Sequence, residues 1–88
     1  MSETPDDRLK RLRMRSWRRG TKEMDLVLGP YADARLAGLG ETELAVYDQV
    51  LQENDQDLIL WVMGTVAPPV RFAALMAEIS AFARSRRI

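Results

Sequence analysis

The sequence contains no cysteine and no histidine. Without them the chain can form no disulfide, no thiolate nucleophile and no zinc site of the usual kinds. Acid–base chemistry through imidazole is excluded as well, and so are the two residues that most often carry covalently attached flavin. Absence of cysteine fits a reducing compartment. No run approaches the roughly 18 apolar residues of a membrane span, so no membrane insertion is expected. The opening Met1-Ser2-Glu3-Thr4-Pro5-Asp6-Asp7 is acidic and lacks an apolar stretch. That disagrees with a secretory signal and with a mitochondrial presequence. A bacterial cytoplasmic location is expected, with the mitochondrial matrix an option only if a presequence has been removed.

Glycine is also scarce. The five glycines are Gly20, Gly29, Gly38, Gly40 and Gly64. They form neither a dinucleotide fingerprint nor a P-loop. The chain by itself is therefore expected to bind no nucleotide, flavin or metal cofactor. Strand signals are missing too: no segment alternates apolar and polar residues over six positions.

What is present fits one all-α domain. A chain of 88 residues is expected to be a single helical domain, 1–88, with 1–5 and 84–88 frayed. Its core is thin, because a chain this short buries only roughly 60–65% of its unfolded surface. Thr4-Pro5-Asp6-Asp7 is a helix start, with Thr4 as cap and Pro5 in the first helical position. That helix is predicted to reach about Trp17, with Leu9, Leu12 and Ser16 on one face. Gly20 or Thr21 caps a second helix, in which Met24, Val27, Leu28 and Tyr31 follow helical spacing. Gly29-Pro30 is expected to kink it, the chain continuing to about Leu36. Gly38-Leu39-Gly40 is a turn. Leu44, Tyr47, Val50 and Leu51 face inward from a third helix, opened by Glu41 and Glu43. Asn54-Asp55 stops that helix and can cap a short fourth one ending at Gly64, with Leu58, Ile59, Trp61 and Val62. Pro68-Pro69 precedes the last helix, whose apolar face is Phe72, Leu75, Met76, Ile79 and Phe82. The expected architecture is a compact five-helix bundle.

Thirteen basic and 13 acidic residues give a net charge of zero, but unevenly spread. Eight basic residues and no acid lie between Arg8 and Lys22. Such a run can grip phosphates, with Trp17 as a stacking group. It can equally serve as a solvated helix face or meet an acidic protein surface. A small nucleic-acid-binding module using the Arg8–Lys22 surface is therefore one reading, opposed by the acidic middle of the chain. At Arg19-Gly20-Thr21-Lys22-Glu23, arginine and glutamate flank a glycine at a helix junction. Arginine is enriched at interface hot spots, and glycine admits close backbone approach. The plainer account is a helix end followed by a capped start. Asp55-Gln56-Asp57 resembles the opening of a calcium loop but lacks its glycine and its later glutamate. Acids complementing a helix dipole account for it. No nucleophile–base pair suggests an enzyme.

Two segments taken together carry a resemblance. Arg18-Arg19-Gly20-x-x-Glu23-x-Asp25-Leu26 leads into Gly29-Pro30-Tyr31. Asp55-x-Asp57-Leu58-x-x-Trp61-Val62-x-Gly64 follows some thirty residues later. Over roughly Arg8 to Phe82 the chain resembles the succinate dehydrogenase assembly factors, also called FAD assembly or flavinylation factors. Thr21 departs from the pattern, which often has a bulky apolar residue there. The resemblance implies a five-helix bundle with no catalytic residues of its own. It implies binding to the flavoprotein subunit of succinate dehydrogenase, with that of fumarate reductase as an alternative client. The outcome would be covalent attachment of FAD to a histidine of that partner. It also implies that Arg19, Gly20 and Glu23 form the contact surface, flanked by Arg18 and Asp25.

Overall fold

Thr4 sets the start of the first helix. Its Oγ1 accepts the Asp7 N–H at 3.1 Å, and Pro5 stands where a missing N–H costs nothing. In the computed structural model, which describes residues 3–86, helix α1 spans Pro5–Trp17 and α2 spans Lys22–Arg35. A 3₁₀ turn, Leu36–Gly38, leads to α3, Glu41–Val50, then α4, Asp55–Met63, and α5, Val70–Ser85. Met1, Ser2, Arg87 and Ile88 lie outside the described residues, and with them part of the fraying expected at either end.

Local chemistry explains each boundary. Thr21 Oγ1 accepts the Met24 N–H at 3.4 Å and opens α2. The helix runs unbroken through Gly29-Pro30. Proline deprives the Leu26 carbonyl of its donor, but Leu26 is on the exposed side, where water can replace the bond. Glu43 Oε1 accepts the Gly40 N–H at 2.8 Å, one half of a capping box. Asn54 Oδ1 accepts the Asp57 N–H at 2.9 Å and opens α4. Gly64, at φ 79°, closes α4 in the left-handed region that glycine enters freely.

Helices α2 and α5 are the hubs. The former packs on α1, α4 and α5, and the latter on α2, α3 and α4. Leu12, Met24, Leu28, Tyr31, Leu36, Tyr47, Leu51, Leu58, Phe72, Met76 and Ile79 are buried between them. Each large side chain removed from water contributes about 1.5–3 kcal/mol. Tyr31 stacks on Tyr47, ring centroids 5.9 Å apart, and meets the Phe82 ring edge-on at 5.7 Å. The hydroxyls of Ser16 and Tyr47 meet in this core. Ser16 Oγ donates to the Leu12 carbonyl at 2.7 Å and lies 2.6 Å from Tyr47 Oη. Ser16 has only one proton to give, so Tyr47 is the donor to Ser16. Burial pushes the Tyr47 phenol up to about 12, which keeps it neutral.

Candidate functional site

The link between α1 and α2, residues 18–21, is fastened from two sides. From α2, Asp25 Oδ1 accepts the Arg19 N–H at 2.6 Å. From α4, Asp55 accepts both Arg19 and Thr21. Arg19 Nε donates to Asp55 Oδ1 at 2.8 Å, and the Thr21 N–H donates to Asp55 Oδ2 at 2.9 Å. The remaining Arg19 donors point to the Leu51 carbonyl at 2.5 Å and the Glu53 carbonyl at 2.6 Å. These carbonyls lie just past the end of α3, where helical acceptors lack intrahelical partners. One guanidinium therefore closes the C-terminal end of α3 and balances the acid opening α4.

The Arg19 and Asp55 side chains are only 10% and 11% exposed. Arg19, placed in the contact surface by the family resemblance, is thus turned inward and acts as a strut. Asp25 is likewise partly buried and spent on the loop backbone. Gly20 does not use a positive φ, since among the described residues only Gly64 does. What favours glycine is space: a Cβ there would lie 3.2 Å from Asp55 Oδ2, so that a larger residue would push on the carboxylate that fastens the link. The groups left on the outside are Arg18, Gly20, Thr21, Lys22 and Glu23. Among the described residues neither Arg18 nor Glu23 forms an ion pair. A shallow cleft lined by Thr21, Glu23, Asp55, Gln56 and Ile59 lies between this loop and α4.

The basic run divides in two. Arg8 pairs with Glu41, and Arg11 with Glu3 and Asp48. Arg15 lies 3.9 Å from Asp48, and Arg19 pairs with Asp55. Hydrogen bonds from Arg11 hold the Glu3 and Asp48 carboxyls below the usual carboxylate range. Half of the basic residues are therefore already matched within the molecule, and no observation favours a phosphate-binding surface built from the whole run.

Sequence reasoning assigned Asp55 to a helix cap and missed that it fastens the two motif segments together. The signal available was their joint occurrence. It also missed Trp17 over Gly29. A Cβ on Gly29 would come within 2.4 Å of the indole ring, so the ring lies directly on helix backbone. Trp17 Nε1 also donates to Asp33 Oδ2 at 3.2 Å.

The family model described as flavinator of succinate dehydrogenase matches residues 10–83. The chain belongs to this family. Its motif segments, the Arg18–Leu26 link and the Asp55–Gly64 helix, are the parts that Asp55 joins. The chain is 34% identical over 87 residues to succinate dehydrogenase assembly factor 2, mitochondrial, of Schizosaccharomyces pombe, covering 97% of this chain and 63% of that protein. It is 34% identical over 74 residues to the FAD assembly factor SdhE of Legionella pneumophila, covering 84% and 94%. A Drosophila grimshawi assembly factor 2 is 32% identical over 74 residues, covering 82% and 50%. The chain thus spans less than two thirds of the mitochondrial relatives and nearly all of the Legionella one. Among the described residues no helix is long and apolar enough to cross a membrane.

Proposed function

We propose that this family member is an assembly factor that binds the flavoprotein subunit of succinate dehydrogenase and promotes covalent attachment of FAD to a histidine of that subunit. The fumarate reductase flavoprotein is an alternative client, and the bacterial cytoplasm the compartment. The observation that carries this reading is the α1–α2 link, pinned by Arg19–Asp55 so that Arg18, Gly20, Lys22 and Glu23 are presented on a fixed backbone. A backbone already held in place has no ordering entropy of its own to lose on docking.

The chain has no histidine to accept flavin and no cysteine. The acceptor and the reacting groups belong to the partner, and this chain binds no cofactor alone. Its contribution is to hold a subunit conformation in which flavin and histidine meet. Fixing reacting groups in place can supply several kcal/mol of a barrier without any added catalytic group. In a strain lacking the chain, the flavoprotein subunit should lose its covalent flavin fluorescence on a denaturing gel. Normal fluorescence in that strain rejects the proposal.

A further inference from the structure

Helix α1 carries its cations on two sides, and only one side is matched. Arg8, Arg11 and Arg15, with Arg19 beyond the helix end, face acids of this chain. Lys10, Arg13 and Arg18 form no ion pair among the described residues. The helical rows 10–14 and 13–17, followed by Arg18 at the helix end, interleave these cations with Met14 and Trp17. Met14 is 54% exposed and Trp17 41%. Leu26, 55% exposed, sits one turn before the Gly29 on which the Trp17 ring lies. Trp17 has no freedom to withdraw from solvent, because backbone lies beneath its ring and Asp33 holds its N–H. An ordered aromatic amid partly exposed apolar neighbours is the composition of an interface centre.

Resting on the function proposed above, we infer that Lys10, Arg13, Met14, Trp17, Arg18 and Leu26 form a second docking surface, and that its occupant is an acidic segment of the flavoprotein subunit bearing apolar side chains. Arg18 belongs both to this surface and to the α1–α2 link, so the two are continuous. The unmatched cations select an acidic occupant. Met14, Leu26 and the outer part of Trp17 select one with apolar groups. A nucleic acid fits less well. One face of the Trp17 ring, which a base would need for stacking, is taken by helix backbone.

The test is a binding titration of the purified flavoprotein subunit against the full chain, at low and at moderate salt. The variants are Lys10→Glu, Met14→Glu and Leu26→Glu, with Ala77→Glu on α5 as the exposed control. All four positions are exposed on helices, and circular dichroism verifies folding. Met14→Glu and Leu26→Glu should each weaken binding about tenfold or more. Lys10→Glu should weaken it more at low salt than at moderate salt, and Ala77→Glu should leave it unchanged. If Met14→Glu and Leu26→Glu bind like the parent while Glu23→Arg does not, this surface is rejected and the proposed function stands. If the parent chain fails to bind the subunit, both fall. If instead it binds a single-stranded oligonucleotide, and Met14→Glu abolishes that, the occupant is a nucleic acid and the inference is wrong.

Discussion

Arg19 and Asp55, thirty-six positions apart, form a nearly buried ion pair, with Nε 2.8 Å from Oδ1. The pair joins the two motif segments that mark the family. Removing one partner strands the other in a low-dielectric site, a loss of about 3–5 kcal/mol for buried pairs. Asp55→Ala should therefore destabilise the chain by about that much in urea unfolding, and Arg19→Ala similarly. The double variant should cost clearly less than the sum, because neither charge is then stranded. Additive losses would show that the two residues do not act as a pair.

The contact between Trp17 and Gly29 predicts a change of sign. Alanine normally stabilises a helix interior over glycine by about 1 kcal/mol. Here the added Cβ would fall 2.4 Å from the ring. Gly29→Ala should therefore lower stability by about 1–3 kcal/mol through overpacking. In a Trp17→Ala background the same change should raise stability by about 0.5–1 kcal/mol. A stabilising Gly29→Ala in the parent chain would place the ring elsewhere.

The helices were legible in the sequence because each carries its own local start or stop. Thr4, Thr21, Asn54 and Gly64 act within a turn of where they stand, and Phe72, Leu75, Met76 and Ile79 announce a buried face by spacing alone. The site was legible only in outline. Family resemblance marked Arg18–Asp25, but which of those side chains face outward is fixed by Asp55, a residue distant in sequence. Nothing local distinguishes an aspartate that caps from one that reaches back to another loop. Gly29-Pro30 read only as a kink for the same reason: the indole that needs a bare backbone comes from α1. The basic run likewise appeared as one surface, since its acidic partners Glu41, Asp48 and Asp55 lie more than thirty residues away.

Asp48 supplies a pH test. Hydrogen bonds from Arg11 hold its carboxyl below the ordinary value of 3.8. A depressed folded-state pKa means the unfolded chain takes up the proton first as pH falls. The stabilisation is thus complete above about pH 4–5 and is lost as pH drops through the folded-state value. The pair is partly exposed, so about 0.5–1 kcal/mol is expected. Comparing the parent with Asp48→Asn in urea unfolding, the difference should be largest near pH 7 and shrink below pH 4. A difference that grows on acidification would contradict the assignment.

The most direct measurement is reconstitution of flavin attachment. Purified apo flavoprotein subunit is incubated with FAD, with and without this chain, and covalent flavin is read by fluorescence after denaturing electrophoresis. The account predicts that the chain raises the covalently flavinylated fraction of the subunit and carries no flavin itself, and that folded Glu23→Arg has little effect. An unchanged fraction in the presence of the parent chain, or flavin fluorescence on the chain itself, would contradict it.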